Sequence, residues 1–583
     1  MPAYDLIIRS GTIVDGLGGE PYEGDVAVRA GLIAAVGRVS GSGREEVDAR
    51  GLLVTPGFVD LHTHYDGHVT WAERLLPLSA HGVTTALMGN CGVGFAPCKP
   101  ADRERLVHLM EGVEDIPEIV LTEGLPWNWT SFPEYLDSLS RRHYDMDIGA
   151  QLPHAPLRVF VMGQRAADRE AATSQDIDQM TTIAREAIAA GAFGFSTSRS
   201  INHRASDGAH TPTLQASQHE LIEIAGAVAD NGTGVLQMIS DFEDIDAEFE
   251  LVRRIAARAR RPLSLTLVQQ PHAPTRWRAL LERIEQANRD GLPIRAQVCG
   301  RPVGLFLGLE LSYTPFALCP TVQAMEFASF AEKLRSYRDA SVRARILEEF
   351  TAPLEQRRAE IAKAFAGRTV DSFSMARLLT NLSGMFALGD PPQYEPEPGS
   401  SITAIAQHTG RNAAEVAYDS LLEQDGHGLI YVPAANYVDR NLDSVRTMLA
   451  HENTILGLSD AGAHCSLICD ASFTTYMLTH WARDRGVGLP LPQVVHALTR
   501  QGADAIGLTD RGTIAPGLRA DINVIDFSRL RLHPPKVVYD LPAGGKRLSQ
   551  DADGYVLTMV NGMPTYREGE ATGALPGRLI RAS

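Results

Sequence analysis

The sequence predicts an α/β fold, a (β/α)8 TIM-like barrel joined to a β domain that both ends of the chain build together. Three observations predict it. Short apolar runs alternate with longer helical stretches through the middle of the 583-residue chain, the pattern of a parallel sheet with covered faces. Eight such runs can be counted, the number a closed barrel needs. The two ends have a different texture, with short alternating strands and Gly-rich turns. The expected division is 1–55 plus 511–583 for the composite β domain and 56–510 for the barrel, with a long insertion at about 300–454.

At the N-terminus, Tyr4–Arg9, Gly11–Val14, Asp25–Ala30, Leu32–Gly37 and Leu52–Val54 read as strands, divided by Gly-Leu-Gly-Gly and Gly-Ser-Gly. Gly512-Thr513-Ile514, Ala520–Ile525 and Tyr555–Asn561 read the same way, with turns at Pro516-Gly517 and Asn561-Gly562. The eight central runs are Val54–Leu61, Val83–Met88, Ile148–Leu152, Phe193–Thr197, Val235–Ile239, Leu263–Val268, Ile294–Val298 and Ile455–Leu458. Helical patterns such as Ile177–Ala190, Gln218–Asn231 and Trp277–Asp290 fall between them. About 155 residues separate the seventh run from the eighth, far more than one crossover needs. Within them Met325–Phe365 and Ala413–Gln424 look helical and Pro391–Ser400 reads as loop. A lid, an oligomer contact and a plain surface elaboration all remain open for this insertion.

Hydrophobic residues make up 44% and charged residues 21%, and the formal net charge is -17. That composition belongs to a globular chain with a large core and disfavours nucleic acid or an anionic membrane surface as a partner. The start, Met-Pro-Ala-Tyr-Asp-Leu-Ile-Ile-Arg, reads as a strand and not as a signal peptide, and no apolar run is long enough for a membrane span. Six scattered cysteines fit a reduced, cytoplasmic setting without a disulfide framework. The acidic surface and the insertion permit a homo-oligomer.

The candidate chemistry sits where the central runs end. An apolar run leads into His62-Thr63-His64. Alternate strand residues face one way, so the two imidazoles can point to one side, half of a metal site. The plain alternative is two histidines spaced so by accident. Asp460, in Gly457-Leu458-Ser459-Asp460-Ala461-Gly462-Ala463-His464, follows the eighth run. In a closed barrel the first and eighth strands are neighbours, so Asp460 is placed to bind an ion through one oxygen and to take a proton from its water through the other. Binding lowers that water's pKa from about 15.7 toward about 7. Asp460 also reads as a helix N-cap.

Cys91, in Gly89-Asn90-Cys91-Gly92 after the second run, offers a thiolate for zinc or a small apolar group at a turn. His154 follows the third run, as a hydrogen-bond partner for a substrate carbonyl or for a ligand of the metal, or as a structural histidine. Ser196 and Thr197 end the fourth run, Gln237 the fifth, and Gln269 and Gln270 the sixth. Glutamine is a poor metal ligand beside histidine, so these amides are expected to orient substrate.

With the bracketing β segments, His-x-His, Gly-Asn-Cys-Gly and the late Ser-Asp-Ala-Gly-Ala-His, the sequence resembles the amidohydrolase superfamily. Within it the sequence is similar to the D-aminoacylase (N-acyl-D-amino-acid deacylase) branch over nearly the whole length. The resemblance implies a (β/α)8 barrel with a β-sandwich built from both termini, zinc or a similar divalent ion, and hydrolysis of an amide. It matches His62, His64 and Asp460 to the ligands of one metal position, with Asp460 also the general base, and Cys91 to the thiolate ligand of a second. The branch completes that second position with two histidines after strands five and six. Here Gln237 and Gln269 or Gln270 stand in those places, with His272 displaced, and no lysine ends the fourth run to bridge two ions. One metal per chain is therefore expected, on His62, His64 and Asp460 with Cys91 close by.

The expected reaction is metal-dependent cleavage of a C–N bond in a small molecule. Asp460 would act as base, and His154, Gln237 or Gln269 would steady the developing oxyanion. The same attack would open a lactone, a cyclic amide or an amidine. A barrel that only binds a ligand is the alternative of another class, and the metal content of the purified protein separates it from the enzyme.

Overall fold

Eight strands from the middle of the chain run parallel and follow one another in sequence order. In the computed structural model, residues 2–230, 232–358, 361–362, 365 and 372–582 are described. Strands β1 (Phe58–Asp60), β2 (Val83–Met88) and β3 (Asp147–Ala150) form one parallel ladder. Strands β4 (Gly194–Arg199), β5 (Val235–Ser240), β6 (Leu263–Leu267), β7 (Ile294–Val298) and β8 (Thr454–Leu456) form another. Leu152–Pro153, just past β3, joins the β4 edge of this second ladder. The residues just after β1 and β8 also meet, through a parallel bridge between Thr63 and Ala461. The fold is mixed α/β.

Helices Ser174–Ala189, Gln218–Asp230, Ile245–Ala259 and Arg276–Arg289 connect the strands. Ile245–Ala259 buries Phe249, Val252, Ile255, Ala256 and Ala259, the three- and four-residue spacing of a helix with one face against a sheet. The helix expected over Gln218–Asn231 is present to Asp230, and residue 231 lies outside the described residues. Between β2 and β3, helix α1 (Arg103–Glu114) buries Leu106, Val107, Met110, Val113 and Glu114 and ends at Asp115, whose φ is +50°.

Strands from both ends of the chain share one sheet. Its hydrogen-bonded order is Glu570–Ala571, Met563–Arg567, Tyr555–Val560, Ile522–Ile525, Leu53–Pro56, Tyr4–Ile13, Tyr22–Arg29 and Leu32–Gly37, with Gly43–Asp48 also pairing Tyr4–Ile13. Leu6, Ile8, Val26, Val28, Ile522, Val524, Leu557 and Met559 are buried in one cluster. Alternate residues of each strand thus supply it, each such side chain contributing about 1.5–3 kcal/mol. The sheet is tied to the central strands by a buried charge cluster. Asp147 at the start of β3 accepts from Arg511 at 2.8 Å and from Arg519 at 2.7 Å.

The first apolar run, read as one strand over Val54–Leu61, is split. Leu53–Pro56 joins the terminal sheet and Phe58–Asp60 is β1. Gly57 marks the division, because a Cβ there would stand 2.2 Å from Thr84 Oγ1.

The insertion carries strands that sequence periodicity does not indicate. Val303–Leu307, Phe386–Ala387 and Ile430–Ala435 make an antiparallel sheet over a separate cluster that includes Leu305, Leu307, Phe316, Ile346, Tyr418, Leu421 and Ile430. The helical reading of Met325–Phe365 is met by Phe330–Arg338 and Ala340–Phe350, while residues 359–360 and 363–364 lie outside the described residues. Among the described residues no helix is long and apolar enough to cross a membrane.

Candidate active site

The His-Thr-His segment is stitched between the ends of β2 and β8. The Thr63 N–H donates to the Leu87 carbonyl at 3.0 Å and the His64 N–H to the Ala461 carbonyl at 2.8 Å. The Ser459 hydroxyl donates to the His62 carbonyl at 3.1 Å, and the His62 N–H donates to Asp60 Oδ1 at 3.0 Å. This pairing places Asp460 beside the two histidines. His62 Nε2 lies 3.3 Å from Asp460 Oδ1 and His64 Nε2 lies 3.7 Å from it. Cys91 Sγ stands 3.3 Å from His62 Nε2. Donor atoms of His62, His64 and Cys91 all fall within 4.8 Å of one another.

The Gly-Asn-Cys-Gly turn holds Cys91 at φ +56°. Its glycines are required by close approach. A Cβ on Gly89 would stand 2.3 Å from the Gln151 carbonyl oxygen, and one on Gly92 would stand 2.9 Å from Thr197 Cα. Two side chains clamp the turn. Gln237 Oε1 accepts from the Cys91 N–H at 2.8 Å, and Ser196 Oγ accepts from the Gly92 N–H at 3.0 Å while donating to the Gly89 carbonyl at 2.5 Å.

His62 Nδ1 meets Gln297 Oε1 at 2.6 Å. The Ser264 hydroxyl donates to the Leu236 carbonyl at 3.4 Å and so accepts from Gln297 Nε2 at 2.8 Å, which turns the amide oxygen toward the ring. Nδ1 therefore carries the proton, and the lone pair of Nε2 faces Asp460 and Cys91. Burial pushes His62 down to about 4, against the pull of Gln297. Burial, then the neighbouring His62, His464 and His203, holds His64 well below the usual histidine range. Both shifts favour the neutral imidazole that metal ligation needs. Burial pushes Asp460 up to about 6, opposed by His464. It pushes the Cys91 thiol well above its usual value, and the carboxylates of Glu114, Asp460 and Asp66 add to that. Two neutral imidazoles, a thiol and a carboxylate crowded into a buried pocket make a donor set that a divalent cation satisfies.

Besides Gln297, three side chains near this group were not singled out by sequence reasoning. Glu114, the last residue of α1, is buried, with Oε1 3.3 Å from His64 Nδ1 and Oε2 4.0 Å from His464 Nε2. Its only sequence signal is an acid one helical turn past Met110 on the apolar face of α1. His464 had been read only as part of the late motif. His203, in the loop after β4, meets Ser198 Oγ at 2.9 Å through Nδ1, and nothing local marks it.

Other expected site residues are engaged elsewhere. The two ring nitrogens of His154 meet Thr197 Oγ1 and Glu220 Oε1, each at 2.9 Å, and Glu220 also pairs with Arg158 at 2.7 Å. Gln269 donates to Asp439 at 2.8 Å and to Ser444 at 3.2 Å, tying β6 to the segment before β8. Gln270 accepts from Arg276 at 3.4 Å. The His272 side chain is 61% exposed and faces Glu243, so it does not take the place of a buried ligand.

Parallel strands of a mixed α/β fold thus gather buried imidazoles and carboxylates just past their C-terminal ends, where such folds place their ligands. Residues 45–566 match the model of the Amidohydrolase family. The chain belongs to that family and is a hydrolase of carbon–nitrogen bonds other than peptide bonds. It is 27% identical over 99% of its length to a D-aminoacylase of Alcaligenes xylosoxydans xylosoxydans, of which the match covers 97%. A solved D-aminoacylase, described as defining a novel subset of amidohydrolases, superposes with a TM-score of 0.64 at 23% identity, covering 99% of this chain and 100% of that one. An N-acyl-D-glutamate deacylase from Bordetella bronchiseptica, solved with zinc and a phosphonate mimic of the tetrahedral intermediate, superposes with a TM-score of 0.61 at 22% identity over 99% and 100%. At those identities the two structures show a shared fold.

Proposed function

We propose that the eight parallel strands close into a (β/α)8 barrel, that the terminal sheet belongs to a β-sandwich made of 1–55 and 511–583, and that the site at the strand ends is a metal-dependent deacylase of N-acyl-D-amino-acid type. The observation that carries this reading is the convergence of His62, His64, Cys91 and Asp460, with His62 Nε2 3.3 Å from both Asp460 Oδ1 and Cys91 Sγ. Ligands around one tetrahedral ion at about 2.0–2.3 Å stand about 3.3–3.8 Å apart, and the His62–Asp460, His64–Asp460 and His62–Cys91 separations of 3.3, 3.7 and 3.3 Å fall in that range, which supports a single zinc or similar divalent ion.

His62, His64 and Asp460 would hold it, with Cys91 beside them. Such an ion, when bound, polarises the scissile carbonyl and makes its water acidic near neutral pH. Asp460, 23% exposed at the side chain, can reach the reacting water. It takes the proton at its free oxygen and returns it to the departing nitrogen. Gln297 keeps His62 in the tautomer that presents Nε2. Gln237 and Ser196 keep the Cys91 turn in place instead of supplying ligands, which supports one ion per chain. His154, held at both nitrogens, is given a structural role. All six cysteines are free and buried, which suits a reducing cytoplasm.

The test is Asp460→Asn, assayed against a panel of N-acyl D- and L-amino acids, with lactones and cyclic amides as competing classes. The expected result is a kcat lower by about 10²–10⁴ at unchanged unfolding midpoint. Undiminished turnover would remove Asp460 from the chemistry.

A further inference from the structure

Glu114 is only 2% exposed, yet among the described residues its only ion-pair partners are His64 and His464. Among the described residues no lysine or arginine pairs with it. A buried acid without a cation beside it is costly even when it takes up a proton, so general packing does not explain its presence at the end of α1. His64 Nδ1 is buried and lacks an aligned hydrogen bond. The nearest carboxylate oxygen to it is Glu114 Oε1 at 3.3 Å. The other nitrogen, Nε2, faces Asp460. The ring thus lies between a buried acid on one side and the proposed ion position on the other.

The two histidines of the pair are held by different chemistry. His62 Nδ1 donates to a neutral amide, Gln297, whereas His64 Nδ1 faces a carboxylate. A carboxylate behind a ligating imidazole fixes its tautomer and makes it a stronger base. The same acid reaches the loop after β8. The His464 N–H donates to the Glu114 carbonyl at 2.5 Å, and Glu114 Oε2 lies 4.0 Å from His464 Nε2. That loop carries Asp460 four residues earlier.

We propose that Glu114 is the positioning carboxylate of this site, holding His64 through Nδ1 so that Nε2 meets the metal, while its backbone carbonyl anchors the Asp460 loop at the His464 N–H. The inference rests on the metal reading given above and adds to it a residue that touches neither the substrate nor the ion.

The test compares wild type, Glu114→Gln and Glu114→Ala as full-length proteins, with zinc as the probe. Zinc affinity is measured by chelator competition, and thermal unfolding is followed on the zinc-stripped form of each. The expected result is a loss of zinc affinity of about 10–100-fold in Glu114→Gln, with an unfolding midpoint of the stripped protein no lower than that of wild type. Glu114→Ala should lose at least as much affinity. Zinc affinity within twofold of wild type in Glu114→Gln would overturn the proposal, and so would a lowered stripped-form midpoint with affinity preserved. A wild type that binds no divalent ion would instead defeat the metal reading itself, and this inference with it.

Discussion

His62 Nδ1 lies 2.6 Å from Gln297 Oε1, and with Ser264 orienting that amide the contact leaves Nε2 as the free nitrogen of His62. Gln297 comes from β7, far from His62 in sequence, and both side chains are buried. Replacing Gln297 with leucine keeps the packing volume close but removes the acceptor. The ring can then take the other tautomer or rotate. Gln297→Leu should retain the fold and lose about 10–100-fold in zinc affinity, read as zinc remaining after graded dialysis against a chelator.

Asp147 accepts from both Arg511 and Arg519 in a buried cluster that joins β3 to the terminal sheet. Removing it leaves the buried Arg511 guanidinium with weaker compensation. Asp147→Ala should cost about 3–5 kcal/mol in denaturant unfolding, with much of the loss appearing as release of the terminal strands from the central ones.

Glu395 offers a pH signature away from the site. Burial alone would raise its pKa, but His480 at 2.8 Å and Arg485 at 2.9 Å outweigh burial and hold it at about 2. Its carboxyl has a folded value below the ordinary 4.5. The stabilisation it supplies is therefore complete above about pH 4.5 and is lost as pH falls toward about 2. The difference corresponds to about 3 kcal/mol. Glu395→Gln should lower stability at pH 7 and flatten its decline between those limits, measured by urea unfolding across the range.

Much of the candidate site was legible because strand order constrains it. If the first and eighth strands are neighbours, His62 and Asp460 must approach each other, and the Thr63–Ala461 bridge is the contact that brings this about. Gln237 was visible as a residue type but its job was not, and Gln297 was not singled out at all. Gln237 and Gln297 support the Cys91 turn and the His62 ring through contacts between strands, which no local periodicity encodes. Glu114 was hidden for the same reason, since an acid at a helix end reads as ordinary surface until the fold buries it. The split of the first run at Gly57 depends on Thr84 in the neighbouring strand. The three-stranded sheet of the insertion is assembled from short pieces around residues 303, 386 and 430, whose pairing leaves no alternating pattern long enough to notice.

The terminal sheet has a consequence for how the polypeptide is made. Leu53–Pro56 uses one edge on Tyr4–Ile13 and the other on Ile522–Ile525, with Val54 opposite Val524. During translation the first partner is present at once, while the second leaves the ribosome only after nearly all of the intervening chain. Until then the nascent N-terminal strands keep one bare row of amides and carbonyls, the kind of edge that recruits strands from other molecules. A product truncated before residue 522 would keep that edge permanently and be prone to clump.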